Sequence, residues 1–130
     1  EEQQKCLPKN IVAIRRTENV RQLAELYSAA TAFVNPTWQD NYPTVNLEAI
    51  ACGTPVVTYR TGGSIEVITE DTGRIVEQGD VAGLLKAVRE IAEKGKVQYT
   101  AKCRAFALEK FRKEDRYADY LKLYESLTAR

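Results

Sequence analysis

Residues 40 to 48 carry the clearest chemical pattern in the chain: Asp40, Asn41, Tyr42, Pro43, Thr44, Val45, Asn46, Leu47 and Glu48. Pro43 stands where a first helical turn begins, and TVNLEAIAC runs on to Gly53 with Pro55 just beyond, which predicts a short helix over 43–52. After Asn46 this helix is apolar except for Glu48. A carboxylate among Leu47, Ala49, Ile50 and Ala51 is costly if buried without partners, so it must face a cleft or find a donor. Helical spacing sets Asn41, Thr44 and Glu48 near one line if the helix reaches back as far as Asn41, with Glu48 about 6 Å along the axis from Thr44, close to a phosphate-to-ribose step. This geometry suits a diphosphate on the free amides of Thr44 and Val45, a ribose diol on Glu48 and a further polar group near Asp40. A structural alternative stands beside it, in which Asp40 simply favours a helix N-terminus and Glu48 is satisfied by a core serine or a backbone donor.

Other residues carry weaker signals. Gly62 and Gly63 follow an apolar run, where they let the backbone approach a ligand or else serve a tight turn with positive φ. Arg16 falls at the end of another apolar run, as a site residue or as a solvated surface arginine. Tyr117, Tyr120 and Tyr124, at spacings of three and four, read as a packing stripe, and Cys52 as a small core residue.

The elements that must position these residues alternate. IVAI, 11–14, reads as a buried strand, followed by an amphipathic helix over 20–30 with Asn19 as its N-cap. TAFVN at 31–35, PVVTY at 55–59 and GRIVE at 73–77 read as further strands, and the rest is helical, over 80–94, 96–109 and 113–128. Strands alternating with helices imply crossovers and a parallel sheet with helices on both faces, so the fold class is α/β, with the helical tail covering one side of the sheet. Ligands of such sheets bind beyond the carboxyl ends of the strands, where the loops 15–17, 36–42 and 60–63 fall.

Composition bounds the function classes. In 130 residues there is room for one domain, and 44% apolar with 28% charged residues is ordinary for a globular chain. Nineteen basic against eighteen acidic residues leave a net charge of +1, so no global field attracts nucleic acid. Cys6, Cys52 and Cys103 are odd in number and widely spaced, which argues against a disulfide framework and a zinc site and favours a reducing cytoplasm. No apolar run approaches the roughly 20 residues that span a bilayer.

The segment NPTWQDNYPTVNLEAIACGTPVVTYRTGGSIEVI resembles the core signature of retaining GT-B glycosyltransferases of family 4, in particular the bacterial enzymes of capsular, exopolysaccharide and lipopolysaccharide synthesis. Asp40 and Glu48 occupy the ends of that family's E-x7-E motif, and the resemblance runs from Ile11 through YSAATAFVNPT and TGRIVEQGD to YLKLYESL. It implies that 1–130 is part of a Rossmann-like C-terminal donor domain, with the acceptor domain absent, in an enzyme that moves a hexose from a UDP- or GDP-sugar to a glycan or lipid-linked acceptor with retention. On that pattern Glu48 holds the ribose, and Asn41, Tyr42, Thr44 and Val45 offer backbone contacts to diphosphate and sugar. Asp40 lies near the donor sugar in place of the usual glutamate, Arg16 lies near the nucleobase, and Pro43 replaces a common glycine and donates no amide. Neither metal nor cofactor is implied beyond the donor, and the whole enzyme would be cytoplasmic, held at most peripherally on the inner membrane face. The family's diphosphate-neutralising basic pair and reactive-centre histidine have no counterpart here, so the chain alone is expected to transfer no sugar. The competing reading is a non-catalytic α/β nucleotide-binding or interaction module. A response regulator is disfavoured because IVAI, TAFVN and PVVTY supply no acidic pocket, and an epimerase because of the DNYPTVNLE pattern.

Overall fold

A computed structural model describes residues 7–128. The regular elements are α1 (Val20–Ala29), β1 (Phe33–Asn35), α2 (Thr44–Ala51), β2 (Val56–Tyr59), a 3-10 turn (Gly62–Ile65), β3 (Gly73–Val76), α3 (Val81–Lys94), α4 (Val97–Lys110) and α5 (Lys113–Thr128). Local chemistry sets the boundaries. Asn19 caps α1 by accepting the Gln22 amide at 2.9 Å, and Asp80 caps α3 by accepting the Gly83 amide at 2.8 Å. Lys96 donates to the Tyr27 carbonyl at 3.4 Å and to that of Ser28, closing the end of α1.

The three strands are parallel in the order β1-β2-β3, with Asn35 beside Thr58, Val57 beside Arg74 and Tyr59 beside Val76. All four residues of β2 are buried, and since successive side chains point to opposite faces, both faces of the sheet are covered. The register assigns the covers. Asn35, on the Thr58 face, reaches Asn46 of α2, and Tyr27 of α1 sets its ring edge-on against Phe33, 5.2 Å between centroids. Arg74, on the Val57 face, reaches Glu90 of α3. Ile50, Val56, Val57 and Ile91 are fully shielded at the centre of this sandwich.

Three expectations need correcting. Residues 11–14 form no strand: Ile11, Val12 and Ile14 are exposed, because β1 pairs only with β2 and the segment meets neither a ladder nor a covered face. The three terminal helices do not form one layer. Only α3 lies on the far face of the sheet, whereas α4 packs behind α2, with Arg104 donating to the Ala51 carbonyl at 3.1 Å. Finally, α5 contains no buried residue, and Tyr117, Tyr120 and Tyr124 are each nearly 60% exposed, so the stripe joins no core: Lys113 lies over the Tyr117 ring at 5.3 Å from its centroid, and Tyr120 borders a hollow with Tyr42 and Phe111.

Cys103 is fully buried, and that burial pushes its thiol up to about 11. Cys52 is half-buried and packs against the core; both are free, and Cys6 lies outside the described residues.

Candidate functional site

The loops that leave the carboxyl ends of the strands are stitched together by short polar contacts. Thr61 donates its hydroxyl to the Thr37 carbonyl at 3.1 Å, the Gly63 amide donates to the Asp40 carbonyl at 3.2 Å, and Gln78 donates to the Trp38 carbonyl at 2.8 Å. The Trp38 indole stands edge-on to Tyr59, 6.3 Å between centroids, and remains largely exposed. Gly62 and Gly63 belong to this stitching. A Cβ on Gly62 would lie 2.1 Å from the Asp40 carbonyl oxygen, and one on Gly63 would lie 1.9 Å from that of Asn41. Gly62 also holds φ at +41°. Both glycines thus answer to the neighbouring backbone, and the Gly63 amide is already engaged.

Asp40 accepts the Tyr42 amide on Oδ1 at 3.0 Å, a side-chain turn that leads the chain into α2. Tyr42 lies exposed at the rim, its hydroxyl pKa raised by partial burial and then by the Glu66 charge. Pro43 occupies the N-cap position of α2 and supplies no side-chain hydrogen bond. Thr44 and Val45 are exposed, and neither amide donates to any described protein atom. The leading end of α2 is therefore open, with two outward amides and the positive pole of the helix.

Glu48, one turn further on, is half-buried but not sealed. It borders two hollows. One, of about 430 Å³, lies towards Leu47, Arg104, Leu108 and Arg112, and the other, of about 320 Å³, towards Leu23, Ala24 and Cys52. Its protein partner is the buried Tyr27 hydroxyl, 3.4 Å from Oε2. Burial first, then the Glu48 charge, pushes the Tyr27 hydroxyl up to about 12. A raised folded-state pKa stabilises the fold fully below the ordinary value of 10.0 and loses that contribution as pH rises through about 12. Alkaline unfolding measured against pH is thus expected to steepen between those values, and Tyr27→Phe to abolish that component. If ultraviolet titration finds every tyrosinate forming near the ordinary value, the Tyr27–Glu48 contact is absent in solution.

The structure gathers Asp40, Asn41, Tyr42, Thr44, Val45, Gly62 and Gly63 around the leading end of α2; Glu48 lies one turn further on, against two hollows whose linings include none of these, and Arg16 is not among them. That residue is exposed on an irregular segment, and the strand that would have presented it does not form. Three neighbours escaped the sequence reading. Tyr27 lies within the helix expected over 20–30 and donates to Glu48, while Arg104 and Arg112 border the same hollow as Glu48. Arg104 and Leu108, four apart on α4, share a helix face that could have signalled Arg104, whereas Arg112 lies in the linker between α4 and α5 and carries no such spacing. Among the described residues no cluster of His, Cys, Asp and Glu is arranged to hold a metal, and no helix is long and apolar enough to cross a membrane.

Residues 1–94 match the family model described as "Glycosyl transferases group 1". The chain belongs to the group 1 glycosyl transferases. This group 1 chain is 33% identical over 85 residues to the D-inositol 3-phosphate glycosyltransferase of Streptomyces coelicolor, covering 65% of the chain and 19% of that protein. It is 28% identical over 125 residues to the enzyme of the same name from Nocardiopsis dassonvillei, covering 92% and 28%. Over 58 residues it is 47% identical to the alpha-maltose-1-phosphate synthase of Mycobacterium tuberculosis, covering 44% and 15%. Among solved structures, the sucrose-phosphate synthase of Thermosynechococcus elongatus superposes with a TM-score of 0.74 at 33% identity, covering 82% of this chain and 28% of that one. The parallel sheet with its helical covers and tail is the fold of a GT-B C-terminal domain. The group 1 chain spans well under a third of the length of each of these relatives.

Proposed function

We propose that this chain is the nucleotide-sugar-binding part of a retaining hexosyltransferase, working with an acceptor domain elsewhere in the enzyme. One observation carries the reading: α2 has an uncapped N-terminus, and a carboxylate with access to open space follows one helical turn later. The amides of Thr44 and Val45, with the helix dipole behind them, receive the diphosphate of a UDP- or GDP-sugar. Glu48 accepts hydrogen bonds from the ribose diol, held in place by the Tyr27 hydroxyl. Asp40 spends one oxygen on the Tyr42 amide, which leaves the other for a hydroxyl of the donor sugar. As the glycosidic bond breaks, negative charge grows on the departing diphosphate, and fixed amides stabilise it without reorganising. Asn41, Tyr42, Gly62 and Gly63 shape the approach, Arg16 has no part in the site as folded, and no metal is required.

The sequence resemblance supports a glycan or lipid-linked acceptor in cell-surface polysaccharide synthesis, which implies a cytoplasmic enzyme held peripherally at the inner membrane face. The relatives' names favour a second reading, in which the acceptor is a phosphorylated sugar or polyol. Offering the whole enzyme both acceptor classes separates the two.

The donor site is tested on the chain itself by NMR titration with UDP and GDP. Affinity near the millimolar range, about 4 kcal/mol, is expected for half a site. The amides of Thr44, Val45 and Glu48 should shift together. Shifts elsewhere, or none with either nucleotide, would contradict the reading.

A further inference from the structure

Asn46 places a carboxamide where the helix is otherwise greasy: third in α2 and 0% exposed. Its Oδ1 accepts from Asn35 Nδ2 at 2.9 Å, and its Nδ2 donates to the Ser64 carbonyl at 3.3 Å. Asn35 ends β1, and Ser64 sits in the 3-10 turn that follows β2. One side chain thus spans the three elements that meet at the open end of α2, from the inside. On the outer side those elements are joined by the Gly63–Asp40 and Thr61–Thr37 hydrogen bonds. The Ser64 hydroxyl is buried and has no hydrogen-bond partner, and Asn35 spends its amide on Asn46 itself.

We propose that Asn46 is a positioning residue for the diphosphate, setting the tilt of the first turn of α2 against the loops after β1 and β2. The reason is geometric. Amides stabilise an anion only within hydrogen-bond distance and with good alignment, so a small rotation of that turn removes both donors at once. An apolar side chain of similar volume would fill the space and leave the rotation free. The inference rests on the nucleotide-sugar reading and goes beyond it by assigning the aim of the amides to a residue that touches no ligand.

The test compares Asn46→Ala and Asn35→Ala, which remove the same hydrogen bond from opposite sides, with Ile91→Val. The last lowers stability from α3 on the far face of the sheet and controls for mere loosening. Folding is followed by circular dichroism, and affinity by NMR titration with UDP and GDP. A loss of about fivefold or more in both asparagine variants, with unchanged affinity in Ile91→Val, is the expected result. Affinity within about twofold of the parent in a folded asparagine variant overturns the assignment, as does an equal loss in all three variants. Should Asn46→Ala fail to fold, Asn35→Ala decides alone, because Asn35 is only partly buried. A parent chain that binds neither nucleotide sinks the nucleotide-sugar reading itself, a result distinct from unchanged binding in the variants.

Discussion

Replacing Glu48 with glutamine in the whole enzyme is expected to lower kcat/KM for the nucleotide-sugar donor roughly 10- to 100-fold, the worth of hydrogen bonds to a charged group at about 1.5–3 kcal/mol. The side chain keeps its shape, and its remaining oxygen can still take the Tyr27 hydroxyl, so the change isolates charge and acceptor capacity. A carboxylate accepts both hydroxyls of a ribose diol on its two oxygens, whereas an amide offers one oxygen and turns a donor towards the other hydroxyl. The loss should fall on donor affinity and carry through to the transition state, because the ribose lies away from the bond that breaks. Stability should hardly change. Glu48 opens onto two hollows and makes a single long contact to Tyr27, so little folding energy depends on its charge. The structural alternative predicts the reverse, a lowered Tm with donor affinity intact, and thermal denaturation beside a donor titration separates the two.

The same residue marks how far the sequence could be read. Periodicity located α1, α2, α3 and α4 and all three strands of the sheet, because each is fixed by a local apolar pattern and by nearby caps such as Asn19, Asp80 and Gly53. The candidate site at the leading end of α2 was readable for the same reason, since Pro43 stands at the N-cap of the short helix that carries Glu48. Features that depend on a partner were not legible. The run 11–14 has the composition of a strand, but without a ladder beside it the composition decides nothing. The α5 tyrosines have helical spacing but none of them is buried. Tyr27 and Glu48 are 21 residues apart, and Asn46 and Ser64 are 18 apart, so no pattern within a single element brings either pair together. Arg16 was expected at the end of a strand that does not form, and it lies exposed on an irregular segment.

Gly63→Ala should be among the most damaging single-methyl changes in the chain, costing about 1–3 kcal/mol by overpacking, a Tm drop on the order of 5–15 °C. The added Cβ would lie 1.9 Å from the Asn41 carbonyl oxygen, where real contacts do not fall below 3.0 Å. Backbone faces backbone at that point, so no side-chain rotation can relieve the clash, and the loops after β1 and β2 must separate. Separation breaks the Gly63–Asp40 hydrogen bond and pulls at the Thr61–Thr37 one, which leaves the loop before α2 held by the Asp40 side chain and by Gln78 at the Trp38 carbonyl. Nucleotide affinity should therefore fall together with stability. At Gly62 a backbone penalty adds to the steric one, since φ is +41° and its Cβ would meet the Asp40 carbonyl oxygen at 2.1 Å. A Gly63→Ala protein that melts at the parent temperature and binds UDP or GDP as the parent does would mean that the loops stand apart in solution. The amides of Thr44 and Val45 would then have no fixed aim.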